Sequence, residues 1–260
     1  MGVPIMSSLH KAIVRSLRMI LGEVGVIELS RRMGRSSQND FYDRLTTQIM
    51  RRVLREDSVC VDVGCHEGAI LTVMLQIAHK GTFLAFEPLP DFYRGLQSKY
   101  GARVRVFPYA LGDEIGTANF KFVETNPAYS GLRERQYDRA EERVVDIAVE
   151  ERTLDWVVEK EGIAGIDFIK IDVEGAEILV LRGAEKAIRS SKPIIVFEHG
   201  KGAGDRYCAP EDIFRFFEKC GMRISTLVGF LRARLALSER GFRERFAAGE
   251  YYFVAHPAKS

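Results

Sequence analysis

An α/β protein, with a mostly parallel sheet held between helices, is the fold class that this sequence predicts. Three observations predict it. Short apolar runs at 59–63, 82–86, 168–171 and 194–197 have strand length and are hydrophobic on both faces, as in sheets covered on both sides. Helical patterns separate them. Several runs end in an acidic residue, at Asp62, Glu87, Asp172 and Glu198, and such strand ends form the ligand edge of doubly wound sheets.

The elements follow in order. Residues 8–33 have a helical period, with Leu9, Ile13, Leu17, Ile20 and Leu21 on one side, interrupted at Gly22 and Gly25. The segment 34–40, GRSSQND, reads as a hinge. It separates an N-terminal helical extension (1–40) from the body (41–260), whose first helix spans 41–54. The strand at 59–63 runs into the glycine-bracketed turn Gly64–Gly68 and a helix at 69–78, the first half of a βαβ unit. A strand at 82–86, a helix at 91–100 and a strand at 104–107 follow. Strands at 117–123 and 144–149 flank a polar stretch. The remainder reads as a helix at 154–160, a strand at 168–171, a helix at 176–187 and a strand at 194–197. A helix at 211–220 and strands at 222–228 and 251–255 complete the chain.

The chain has 260 residues, 46% of them hydrophobic and 28% charged, which suits a folded globular protein. A net charge of +2 excludes a strongly basic nucleic-acid binder, and no nucleic-acid partner is expected. Residues 1–55 carry ten Lys/Arg against four Asp/Glu, so the basic part is N-terminal, either as a solvated helix face or toward an anionic surface. The four cysteines form no CxxC pair, which suits free thiols in a reducing compartment. No apolar run reaches membrane-spanning length and the first residues lack a secretory apolar block, so a cytoplasmic location is expected.

The turn GCHEG turns backbone N–H groups and a helix end toward a ligand. It lacks the middle glycine of a dinucleotide fingerprint. Glu87, 25 positions after Asp62, is placed to accept ribose hydroxyls. On these features alone NAD stays open, while a ribose ligand without pyrophosphate, S-adenosylmethionine foremost, fits the glycines better. Ala110 is expected to border the adenine.

The stretch FIKIDVEGAEILVLRG (168–183), with TLDW before it and PIIVFEHG after it, together with VDVGCHEGA and FLAFEPLPDFY, resembles the FkbM-type family of S-adenosylmethionine-dependent methyltransferases. The likeness runs from about residue 45 to the last strand; KIDVEGAE followed by LRGA is its most specific part. It implies a class I methyltransferase, a Rossmann-like three-layer sandwich whose seven-stranded sheet has an antiparallel last strand. It implies S-adenosyl-L-methionine as cofactor and O-methylation of small molecules, glycans or polyketides. It assigns Asp62, Gly64 and Gly68 to the methionine part and Glu87 to the ribose. Cys65, His66, Pro88 and Ala110 join the cofactor set, and Asp172 lies beside the transferred methyl. Cys65-His66 departs from the Ala-Asn usual in that loop.

Asp172, Glu174 and His199 are the expected catalytic residues, His199 as proton acceptor beside a carboxylate-rich edge. Glu174 has an alternative role as a helix cap, and His199 as a supporting residue. Residues 123–143 form the expected acceptor lid, with Asn126, Tyr129 and Ser130 as sugar or polyol contacts and Glu198 nearby. Arg133 and Arg135 would pair with a phosphate or carboxylate. No metal is expected, since no compact ligand motif is present; the alternative is a divalent ion held by Asp172, Glu174, Glu198 and His199. The alternatives are an RNA or protein methyltransferase, an NAD(P)-linked oxidoreductase and a non-catalytic binding protein. The N-terminal helices would cover the sheet or make an oligomer contact.

Overall fold

The computed structural model describes residues 21–137, 141–202 and 207–258. The apolar series Leu9, Ile13, Leu17 and Ile20 lies outside them. Residues 21–32 are helical and Gly25 does not interrupt them; Ile27 is buried in the core and Glu28 pairs with Arg232. Helix α1 (Gln38–Val53) opens on a capping box: the Ser37 hydroxyl accepts from Asp40 N–H while the Asp40 carboxylate accepts from Ser37 N–H. Its buried residues Phe41, Tyr42, Leu45, Ile49 and Met50 recur at helical spacing and seat it on the sheet.

The main sheet has seven strands in the order β3-β2-β1-β7-β8-β10-β9. They are β1 (Val59–Val63), β2 (Thr82–Phe86), β3 (Arg105–Phe107), β7 (Phe168–Ile171), β8 (Ile194–Glu198), β9 (Met222–Thr226) and β10 (Tyr252–Pro257). β1 pairs in parallel with β2 and β7, and β7 with β8, whereas β10 runs antiparallel to both neighbours. This is the Rossmann-like sheet of a class I methyltransferase, with its last strand reversed. A second sheet, in the order β4-β6-β5, joins β4 (Tyr109–Leu111), β5 (Gly116–Val123) and β6 (Val144–Arg152).

The strands divide their side chains between two cores. Val61, Val63, Ile169, Ile171, Ile195 and Phe197 share one core with α4 (Leu154–Lys160), α5 (Glu177–Gly183), α6 (Glu185–Ser191), α7 (Pro210–Lys219) and α9 (Glu239–Ala247). Cys60, Phe83, Ala85, Phe168, Val196 and Val254 face the other, with α1, α2 (Ala69–Ile77), α3 (Pro90–Tyr100) and α8 (Leu227–Leu231). Period-two alternation in strands buried on both sides produces this division.

The structure corrects two element readings. The helix read over 176–187 is two helices, divided at Ala184, which leaves helical geometry at φ −113° and ψ 7°. The strand read over 222–228 stops at Thr226, whose hydroxyl accepts from Gly229 N–H and caps α8. The strands read at 117–123 and 144–149 are both present and pair with each other in the second sheet. Among the described residues, no helix is long and apolar enough to cross a membrane.

Candidate active site

Parallel pairing brings the carboxyl ends of β1, β2, β7 and β8 to one edge. A cavity of about 680 Å³ opens there. Gly64, His66, Glu87, Pro88 and Ala110 line one half of it; Tyr129, Ser130 and Arg135 enter from the 123–143 segment; Asp172, Glu174 and Glu198 lie at the strand ends. Asp62, Cys65, Gly68, Asn126 and His199 do not line it.

The glycine turn is held by packing. Gly64 has φ 74°, and a Cβ there would fall 1.9 Å from the Asp172 carbonyl oxygen, so β1 and β7 approach closely only with glycine. Gly68 also has φ 74° and caps α2; a Cβ on it would meet the Tyr100 hydroxyl at 2.6 Å. It therefore serves the turn and not the cavity wall. Cys65 is buried, with Sγ 3.5 Å from the Phe86 carbonyl, and burial raises its thiol well above the ordinary value. His66 takes φ 46°, lines the cavity and packs against Phe92 with ring centres 4.1 Å apart.

Glu87 is fixed by backbone donors. Its Oε2 accepts from His66 N–H at 2.9 Å and its Oε1 from Leu89 N–H at 3.0 Å. Burial raises its pKa to about 7 against those two bonds. Each oxygen keeps a lone pair for a further donor, which suits a vicinal diol. Asp62 is 2% exposed, and its Oδ1 is buried with no hydrogen-bond partner among the described residues; burial raises its pKa to about 6. A buried acceptor beneath the glycine turn and a diol acceptor at the next strand end fit an amino-acid nucleoside such as S-adenosylmethionine.

Asp172 is the centre of the edge. Its Oδ2 accepts from Lys170 Nζ at 2.6 Å and from the Tyr252 hydroxyl. Burial opposes its charge, but the Lys170 ammonium and the surrounding donors win, and its carboxyl is held well below the usual range. Lys170 is only 5% exposed, in register with Asp62 on β1 and Val196 on β8. Burial and the Asp172 charge drive Glu198 in the other direction, well above the ordinary value, and the two share a hydrogen bond. One carboxylate and one carboxylic acid stand side by side.

Glu174 has φ 55° and pairs with the Arg135 guanidinium; burial raises its pKa to about 8. It leans on the lid and caps no helix. Glu177 Oε1 accepts from Val173 N–H at 3.4 Å and Gly175 N–H at 3.1 Å and fixes the turn after β7. Asp172, Glu174 and Glu198 each offer an oxygen within 4.8 Å of the others. Lys170, Tyr252 and Arg135 already engage that set, so its charge is balanced by side chains and a shared proton.

His199 is the main departure from expectation. It is 1% exposed, and its ring packs on Phe246 at 5.2 Å and Phe242 at 6.4 Å, on the far side of β8 from Glu198. Adjacent strand residues face opposite ways, so Glu198 at the cavity puts His199 in the core. The arginines also differ. Arg135 is neutralised by Glu174 and lies 4.2 Å over the Tyr129 ring, and Arg133 lies 5.5 Å over Tyr207. Ser130 lines the cavity while its hydroxyl accepts from Val123 N–H at 3.0 Å.

Sequence reasoning passed over Lys170, Tyr252, Asn39, Asp43, Glu250 and Tyr251, all at or beneath the cavity. Lys170 had a signal, a cation inside the apolar strand FIKI. The others come from distant elements and had none.

Sheet order and reversed last strand together define the Rossmann-like fold of class I methyltransferases. Residues 62–224 match the methyltransferase FkbM domain, and the chain belongs to that family. It is similar to the 2-O-methyltransferase NoeI of Sinorhizobium fredii, at 27% identity over 157 residues, 56% of this chain and 65% of that protein. It is also similar to the hexuronic acid methyltransferase AglP of Haloferax volcanii, at 28% over 145 residues, 55% of this chain and 57% of that one. The matches thus span less than two thirds of these curated relatives. A crystal structure of methyltransferase FkbM from Methylobacillus flagellatus KT aligns over 78% of this chain and 44% of its own, at 15% identity and a TM-score of 0.47.

Proposed function

We propose that this chain methylates a hydroxyl oxygen of a polar small molecule or glycan. The observation that carries the reading is one cavity with two unlike halves meeting at Asp172: a half built on the Gly64 turn, Ala110 and the backbone-fixed acceptor Glu87, and a half of polar side chains. The name of one relative, a 2-O-methyltransferase, supports oxygen as the acceptor atom, and that of the other, a hexuronic acid methyltransferase, supports a sugar as the acceptor class.

S-adenosylmethionine supplies an electrophilic methyl on a sulfonium. The chain supplies positioning and a proton acceptor. Glu87 takes the ribose hydroxyls, Gly64 borders the amino-acid end with Asp62 buried beneath the turn, and Pro88 and Ala110 border the base. Asp172, kept ionised by Lys170 and Tyr252, accepts the hydroxyl proton as the oxygen gains its methyl, while Glu198, already a carboxylic acid, keeps its own proton in the hydrogen bond to Asp172. A positioned base of this kind is worth about 10²–10⁴-fold. Tyr129, Ser130 and Arg135 close the cavity from the lid and hold the acceptor in line. The several carboxylates in the lining disfavour a phosphate backbone as acceptor, which argues against RNA.

The test uses the purified protein with S-adenosylmethionine carrying an isotopic methyl, offered to a panel of glycosides and polyols. The expected product gains one methyl as an alkali-stable ether, with S-adenosylhomocysteine released in equal amount. Methyl found only on nitrogen, on RNA or as a base-labile ester would overturn the hydroxyl assignment.

A further inference from the structure

The half of the cavity away from the glycine turn is built from segments distant in sequence. Asn39 and Asp43 come from the first turns of α1, Lys201 follows β8, and Glu250 and Tyr251 lead into β10. Two hydrogen bonds join these pieces into one wall: the Tyr251 hydroxyl donates to Asn39 Oδ1, and Gln38 Nε2 donates to the Gly249 carbonyl at 3.3 Å. The Tyr42 and Tyr251 rings meet edge to face at 4.7 Å behind it.

The charges of this wall are unbalanced in one direction. Asp172 has Lys170 and Glu174 has Arg135. Asp43 and Glu250 also face the cavity; among the described residues neither makes an ion pair, and the cations that act on them at longer range, Lys170 on Asp43 and Arg245 and Arg31 on Glu250, do not line the cavity. The Lys201 ammonium is turned away, donating to the Ala247 carbonyl at 2.7 Å. The cavity's other cation, Arg135, is committed to Glu174.

We propose that this wall recognises the acceptor, that Asn39, Asp43, Glu250 and Tyr251 determine specificity, and that the acceptor is a hydroxylated molecule bearing a protonated amine, such as an amino sugar. The inference rests on the methyl-transfer reading of the same cavity. An ammonium group donates to Asp43 and Glu250, while neighbouring hydroxyls exchange hydrogen bonds with Asn39 and Tyr251. An acceptor with a carboxylate meets the same two charges as repulsion, so the wall discriminates against it as well as for the amine. The helix preceding β1 is then part of the substrate site as well as a cover for the sheet.

Methyl glucosaminide, methyl glucoside and methyl glucuronide differ chiefly in charge and serve as probes. Each is titrated into protein saturated with S-adenosylhomocysteine, followed by ligand-detected NMR. The expected order of affinity is amine, neutral, acid, with amine and acid separated about tenfold, the size of two partly exposed charge contacts. Asp43→Asn with Glu250→Gln should bring that ratio close to one; Asp43→Asn alone, at an exposed position, should halve the separation on a logarithmic scale if the double variant does not fold. A protein that fails to bind S-adenosylhomocysteine defeats the methyltransferase reading itself. A loaded protein that binds none of the probes, ranks the acid first, or keeps its ranking in the variants overturns the acceptor wall alone.

Discussion

The two halves of the cavity are made in different ways. On the cofactor side, contacts are backbone-based and join neighbouring strand ends: Gly64 lies against the Asp172 carbonyl, and Glu87 is tied to the amides of His66 and Leu89. On the acceptor side, side chains from α1, the lid and the approach to β10 meet across more than 200 residues, joined by bonds such as Asn39 to Tyr251. A chemistry-invariant ligand can be held by strand ends that the sheet itself fixes. Acceptor recognition sits on loops and helix ends, which can change without disturbing the sheet.

The largest expected effect comes from the residue where the halves meet. Asp172→Asn should lower kcat by about 100-fold or more, the range of a lost positioned base. It also strands the buried Lys170 ammonium, at a cost of about 3–5 kcal/mol in stability. Asp172→Asn combined with Lys170→Met should recover much of the lost Tm but none of the turnover. Recovery of turnover in the double variant would show that Asp172 serves folding and not proton transfer.

An intermediate effect should separate the cofactor half from the acceptor half. Glu87→Gln should raise the S-adenosylmethionine Kd roughly tenfold, since bonds to a charged acceptor are worth about 1.5–3 kcal/mol, while acceptor KM changes little. Burial puts the Glu87 pKa at about 7, so the wild-type carboxylate is protonated as pH falls through neutrality. Wild-type affinity should therefore rise between pH 6 and 8, and the Gln variant should lose that part of the rise. Calorimetry across this range measures both. An equal loss of affinity for cofactor and acceptor would merge the two halves into one unit.

The smallest expected effect on chemistry belongs to His199. His199→Ala removes a ring packed on Phe242 and Phe246 and should cost about 2–4 kcal/mol of stability, as buried truncations do. Below the lowered Tm, the pH profile of kcat should match the wild type. A lost acidic limb would return the imidazole to the proton path.

The same contrast explains what was legible in the sequence. Strand β1, its glycine turn and Glu87 are contiguous or regularly spaced, so burial pattern and turn chemistry expose them. The seven-stranded sheet with its reversed last strand followed from the family likeness of KIDVEGAE and its flanks, and alternation alone would not have ordered the strands. His199 was misjudged because residue type outweighed parity: once Glu198 faces the cavity, the next side chain faces the core. Asn39 and Asp43 were hidden because only tertiary folding carries the start of α1 to the strand ends. Tyr252 reads as an ordinary strand aromatic until the antiparallel register sets it opposite Glu198, within reach of Asp172.

The carboxyl groups buried around the cavity carry a further consequence. Burial lifts Glu87 and Glu177 to about 7 and Asp62 to about 6, so near neutral pH the ligand-free protein holds protons that free carboxylates would have lost. A cofactor with a sulfonium and an ammonium favours the ionised forms, and its binding should drive protons into solution. The heat of binding should then vary with the ionisation enthalpy of the buffer. In titrations near pH 7, phosphate and Tris should report different enthalpies for the same event, and the slope between them counts the protons released.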